Sequence, residues 1–110
     1  MKMYACRKFG RGYDIAKSTE FKGVNFLDKV NTAINMTKEV RKVFELAGYP
    51  IEKSNIISGS MWLYNKNIPP IRDKFKALEN SSGAVGAYAH AIATFMTICI
   101  DKGYDIRFYL

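Results

Sequence analysis

The longest amphipathic pattern in the sequence covers residues 25–47 and predicts a helix. Asn25 is a suitable N-cap residue, and Gly48 followed by Pro50 is typical of a helix end. Between them, apolar residues and one threonine recur at spacings of four and three, at Phe26, Val30, Ala33, Thr37, Val40, Phe44 and Ala47. We therefore expect one long helix over residues 25–47, with this stripe facing the core.

Both ends of the chain alternate between apolar and polar positions, as β-strands do. Residues 3–9 alternate up to a glycine-containing turn, and residues 105–110 alternate to the end of the sequence. Neither side of the first run is wholly apolar, which is typical of an edge or half-exposed strand rather than a central one. We expect the two strands to pair, which would bring Arg107 close to Arg7 or Lys8.

A second helix is predicted over residues 83–102, between Ser82 as N-cap and Gly103 as C-terminal stop. Residues 81–100 carry no formal charge, so the segment is long enough to span a bilayer. Its Ser-Ser-Gly opening and many alanines favour a buried core helix instead, and we expect no membrane partner. Its small residues would let a neighbour approach closely, and the helix over 25–47 is the expected neighbour.

The middle of the chain fits two patterns. Residues 51–68 are rich in β-forming side chains interrupted by Gly59, which fits a bulged strand. However, Ile57, Met61 and Tyr64 also fall at helical spacing. We favour extended structure or loop there. The tandem prolines that follow predict the start of another short helix.

These elements together predict one α+β domain over residues 1–110. Its small antiparallel sheet includes the N- and C-terminal strands. The sheet packs on the helix over 25–47 and on the glycine- and alanine-rich helix over 83–102. A chain of 110 residues is long enough for such a core.

The chain is strongly basic, with a formal net charge of +7 at pH 7. Residues 1–55 carry eleven Lys and Arg against six Asp and Glu, whereas residues 56–110 carry six against four. The excess is therefore concentrated in the first half. Such a charge favours an acidic partner, most often nucleic acid, although it also serves solubility alone.

Catalytic and metal-binding chemistry has little support in the sequence. His90 is the only histidine and sits among alanines, so we interpret it as a core or interface residue. Cys6 and Cys99 are far apart and form no metal-ligand motif, which indicates two buried, reduced thiols in a cytoplasmic protein. No phosphate-loop pattern is present. We expect neither a metal nor a cofactor, and no enzymatic activity.

The candidate binding residues combine positive charge with aromatic rings. Arginine offers paired donors to phosphate, and tyrosine can stack on a base. The residues proposed to contact nucleic acid or another acidic partner are Lys2, Arg7, Lys8, Arg11, Tyr13 and Arg107, with Tyr4 as a further stacking candidate. The residues proposed for a protein interface are Trp62, Tyr64 and Tyr109.

The favoured hypothesis is a small non-catalytic protein that binds nucleic acid or a nucleic-acid-processing protein machine. A first alternative is a protein-directed inhibitor or adaptor, in one version a homodimer. In composition the chain is similar to the small inhibitors of phages and mobile elements, anti-CRISPR proteins among them, without sharing a motif with them. A second alternative is a small toxin-type nuclease that uses His90 with Lys and Arg.

Overall fold

The computed structural model describes residues 1–52 and 60–109, and within these ranges an antiparallel sheet is backed by helices. The strands of this part are β1 Lys2–Phe9, β2 Gly12–Ile15, β3 Leu27–Asp28, β4 Ala33–Asn35, β5 Ser60–Leu63 and β6 Asp105–Tyr109. The α-helices are α1 Lys38–Leu46, α2 Ile68–Lys76 and α3 Gly83–Lys102. The predicted α+β class is confirmed.

The two terminal strands pair, as predicted, but they do so at the centre of the sheet, so the edge position expected for β1 is wrong. The strand order is β3-β4-β1-β6-β5, and β2 also pairs with β1. Met3 lies opposite Phe108 and Tyr4 lies opposite Arg107. Arg107 therefore has Tyr4, and neither Arg7 nor Lys8, as its direct neighbour on β1.

The inner side of the sheet forms the core with the helices. Met3, Ala5, Ile106 and Phe108 are completely buried there, because alternate side chains of β1 and β6 point to the same side. The Phe108 ring lies 5.8 Å from that of Phe44 on α1, in an edge-to-face arrangement. The polar side chains between them are left on the other side of the sheet.

The helix over 83–102 forms with its predicted bounds. Gly103 ends it with a φ of +74°, a left-handed conformation that glycine adopts without strain. α3 contacts the predicted neighbour α1, but it packs mainly against α2. The close approach falls at Gly86, where an added Cβ would lie 2.1 Å from the backbone oxygen of Ser81.

Among the described residues, α3 is also the one helix long and apolar enough to cross a membrane. That is weak evidence, because the core helix of a globular protein passes the same test of length and composition. Here Ile92, Phe95 and Met96 are buried against the rest of the fold.

The predicted helix over 25–47 is wrong in its first half, because α1 begins only at Lys38. Thr37, which the periodicity places in the apolar stripe, is the N-cap of α1, and its Oγ1 accepts a hydrogen bond from the Val40 N–H at 3.3 Å. The predicted helix end is confirmed. Gly48 follows α1 with a φ of +77°.

Residues 27–35 form a hairpin in place of helix, and Asp28 explains why. Its carboxylate accepts hydrogen bonds from the backbone N–H groups of Val30 and Asn31, at 3.1 and 3.4 Å. It also accepts a hydrogen bond from the Asn31 side-chain amide at 3.0 Å and one from the Lys2 ammonium at 2.8 Å. Such local bonds compete with helix formation. Val30 is left 92% exposed at the turn.

The expectation of extended structure or loop for residues 51–68 is met at 51–52 and 60–64, whereas residues 65–68 are helical. Ser60–Leu63 is the extended strand β5, and a short 3-10 helix at Asn65–Asn67 leads into α2. Residues 53–59 lie outside the described part of the chain. The tandem prolines stand in the first turn of α2, where a missing N–H costs no intrahelical bond.

Candidate binding face of the sheet

The outer side of the sheet carries a group of aromatic side chains around one arginine. Across three neighbouring strands, Tyr4, Arg107 and Trp62 lie directly opposite one another. Tyr109 follows two residues after Arg107 and therefore points to the same side. We use the term aromatic face for Tyr4, Tyr13, Trp62, Tyr64, Arg107 and Tyr109.

Arg107 lies between two rings. Its guanidinium carbon is 4.6 Å from the ring centre of Tyr109 and 5.3 Å from that of Trp62, within cation–π range of both. One terminal nitrogen donates to Ser60 Oγ at 3.3 Å. No carboxylate lies within ion-pair distance of it in residues 1–52 and 60–109, and its buried Nε has no hydrogen-bond partner there. The charge of Arg107 is held in place without being neutralised.

The rings of the aromatic face form two groups in contact, Tyr13 with Trp62 and Tyr64, and Tyr4 with Tyr109, and Arg107 links the two. Trp62 and Tyr64 are almost parallel, with ring centres 6.2 Å apart and an interplanar angle of 4°. Tyr13 contacts Trp62 at 4.5 Å, and Tyr4 meets Tyr109 edge-to-face at 6.4 Å. Tyr13, Tyr64 and Tyr109 are each 40–47% exposed. Ring surface therefore remains open for a ligand to stack on.

Two local features hold the edges of this face. Gly10, with a φ of +59°, makes the tight turn that returns β2 along β1 and carries Tyr13 to Trp62. Beyond β5, the Asn65 side-chain amide donates to the carbonyls of Cys99 and Tyr104, both at 2.8 Å. These bonds fix the end of β5 against the end of α3.

The predicted cations differ in their position relative to the aromatic face and in whether they form ion pairs. Lys8 lies on the same side of β1 as Tyr4, and Arg11 is exposed in the β1–β2 turn. Neither makes an ion pair within the described ranges. Arg7 points to the other side, where its guanidinium lies 3.4 Å from the Asp14 carboxylate.

Lys2 is on the outer side but belongs to an ion pair. Its ammonium and the Asn31 amide lower the pKa of Asp28 to about 2, and Asp28 in turn raises the pKa of Lys2. Lys2 therefore stabilises the β3–β4 hairpin through this ion pair, and its charge is less available to a ligand. Lys8, Arg11 and Arg107 are the better placed of the predicted cations.

His90 is not the core residue that its alanine neighbours suggest, whereas a role at an interface stays a prediction. Its side chain is 59% exposed on α3, and its Nδ1 lies 3.4 Å from the Glu79 carboxylate. No nucleophile is hydrogen-bonded to its ring in the described part of the chain. The described residues also contain no group of three or more His, Cys, Asp or Glu able to hold a metal ion.

Both cysteines are buried and free, as predicted. Burial raises the pKa of Cys6 to about 11 and that of Cys99 well above its usual range. Since the thiolate is the reactive form, both thiols have low reactivity in the folded protein.

We therefore expect a thiol-specific chromogenic reagent at pH 8 to react with the native protein at least about 100-fold more slowly than with the unfolded chain, whose thiols titrate near 8.5. The measurement is the rate of colour release, with the denatured protein as control. Rapid reaction of one thiol in the native state would contradict the burial of Cys6 or Cys99.

Sequence reasoning missed three residues that border the aromatic face, Cys6, Ile15 and Asn31, of which Asn31 matters most for hydrogen bonding. The helical pattern places it on a solvated helix face, whereas it borders the aromatic face next to Tyr4 and Arg107. The spacing of Asp28 and Asn31 is the signal that could have found it, since an aspartate commonly bonds the backbone just after it in a turn.

No protein-family model, curated protein or solved structure matches this chain.

Proposed function

We propose that this protein binds single-stranded nucleic acid on the aromatic face and does so without catalysis. The observation that carries the proposal is the arrangement of Arg107 between Trp62 and Tyr109 on an open sheet, with further exposed rings beside it. Proteins that bind single strands combine aromatic stacking surfaces with cations that follow the phosphates.

The shape of the face favours a single strand over a duplex. Bases in a duplex are stacked on each other and shield their ring faces, whereas those of a single strand can lie on protein rings. Tyr64, Trp62 and Tyr13 supply adjacent ring surfaces along one line of contact. Lys8 and Arg11 lie near this line, on β1 and its turn, where they would meet the phosphates.

The test is fluorescence anisotropy of a labelled oligouridine or oligothymidine titrated over a salt series. Each phosphate that a protein cation neutralises contributes about 0.7 to the slope of log affinity against log salt. The double variant Lys8→Ala with Arg11→Ala should therefore reduce the slope by about 1.4. Exchanging two exposed helix lysines, Lys42 and Lys76, for alanine removes the same charge elsewhere and should leave the slope unchanged.

Three outcomes would contradict the proposal: no binding at low salt, binding that does not depend on salt, or equal slopes for the two double variants. A protein partner is the competing explanation, since Phe9 and Ile15 are 70% and 44% exposed in the same hairpin. Capture of a defined protein by the wild-type chain, together with no oligonucleotide binding, would establish that explanation in place of ours.

A further inference from the structure

The aromatic face contains a cavity of about 240 Å³. This volume is below the about 300–1,000 Å³ of sites for drug-sized ligands, so the cavity suits a single ring-sized group. The residues that line it are Tyr4, Cys6, Ile15, Asn31, Arg107 and Tyr109.

Besides the hydroxyls of Tyr4 and Tyr109, the lining contains two polar side chains, Arg107 and Asn31, with different hydrogen-bonding character. Arg107 offers donors only, and no carboxylate of the described residues lies within ion-pair distance of its guanidinium. An N–H of the Asn31 side-chain amide donates a hydrogen bond to the Asp28 carboxylate at 3.0 Å. The Asn31 oxygen remains able to accept a hydrogen bond. The remaining lining consists of two tyrosine side chains, a buried thiol and an isoleucine.

This chemistry favours a planar base over a phosphate group. A phosphate needs several donors, and within the described lining Arg107 is the one cation that the cavity provides. A flat heteroaromatic ring would contact Tyr4 and Tyr109 and present its edge to Arg107. Paired acceptors on that edge would satisfy the arginine, whose fork of donors binds two acceptors at once.

Resting on the proposed binding of single strands, we infer that this cavity accepts one unstacked guanine. Guanine presents O6 and N7 as adjacent acceptors, the pair that arginine contacts most often. Its N1 and N2 carry hydrogens that the oxygen of Asn31, on the cavity lining, would accept. Adenine has a donor at N6 where guanine has O6, so it would leave Arg107 facing another donor.

The experiment compares two short oligouridines, one carrying a single central guanosine and the other a central adenosine. We expect the wild-type protein to bind the first about tenfold more tightly. Replacing the guanosine by 7-deazaguanosine removes N7 and should abolish most of that preference. This arm changes the ligand alone and does not depend on the folding of a variant.

Arg107→Lys keeps the charge but removes the fork of donors, and should bind both oligonucleotides with equal affinity and an unchanged salt slope. Equal affinity of the wild-type protein for both oligonucleotides would overturn the guanine site while leaving the proposed function intact. An undiminished preference with 7-deazaguanosine would also overturn the site. Binding of neither oligonucleotide would overturn both.

Discussion

Replacing Trp62 by alanine should weaken the binding of a single-stranded oligonucleotide by roughly 10–100-fold. Stacking of one base on an aromatic side chain contributes about 1–3 kcal/mol, and Trp62 is the ring that contacts both Tyr13 and Tyr64. The change also removes one of the two rings that hold the Arg107 guanidinium. The measurement is anisotropy of a labelled oligonucleotide, which does not depend on the tryptophan.

Two variants control this prediction. Trp62→Phe keeps a ring in the row of Tyr4 and Arg107 and should retain most of the affinity. Tyr88→Ala removes an aromatic side chain from α3, where it contacts Phe26 and lies away from the aromatic face. It should bind like the wild-type protein. If Trp62→Ala bound the oligonucleotide with wild-type affinity, the nucleic acid would not lie on this face.

The second large effect concerns Gly86 near the start of α3. Gly86→Ala should destabilise the protein by about 2 kcal/mol, although alanine is the better helix former. The added Cβ would meet the backbone oxygens of Ser81 and Glu79 at 2.1 and 2.9 Å. Overpacking of this kind costs about 3 kcal/mol, of which helix propensity returns up to about 1.

The measurement is chemical and thermal denaturation, with a fall in Tm of roughly 8 °C expected. Gly12→Ala is the matched control, because its Cβ would have no atom nearer than Phe9 O at 4.0 Å. It should leave stability unchanged or slightly higher. A Gly86→Ala protein as stable as the wild type would mean that the chain before α3 does not pass so close to the helix.

The elements that local pattern decides were predictable from the sequence. The uncharged run with Gly103 after it defines α3, and the alternation of residues 105–109 defines β6. The hairpin at 27–35 was predictable only in part. Its apolar spacing also fits a helix, and what decides against the helix is the local bonding of the Asp28 carboxylate together with contacts distant in sequence, from Asp28 to Lys2 and from β4 to β1.

The candidate site, too, was predictable from the sequence only in part. Alternation within β1 places Lys8 and Tyr4 together, and pairing of the terminal strands brings Arg107 to them. The contact of Trp62 with Arg107 depends on the register between β5 and β6, and that of Tyr13 depends on the curl of the β1–β2 hairpin. Neither is a local property of the sequence, so the aromatic face emerges only from the fold.

The intrinsic fluorescence of Trp62 is the most direct test of the central claim, since it is the only tryptophan in the chain. We predict that an unlabelled oligouridine quenches this fluorescence in a saturable way, and that added salt weakens the effect as the phosphate contacts are lost. Fluorescence that stays constant while anisotropy reports binding would place the nucleic acid elsewhere on the protein. That result would contradict the assignment of the aromatic face as the binding site.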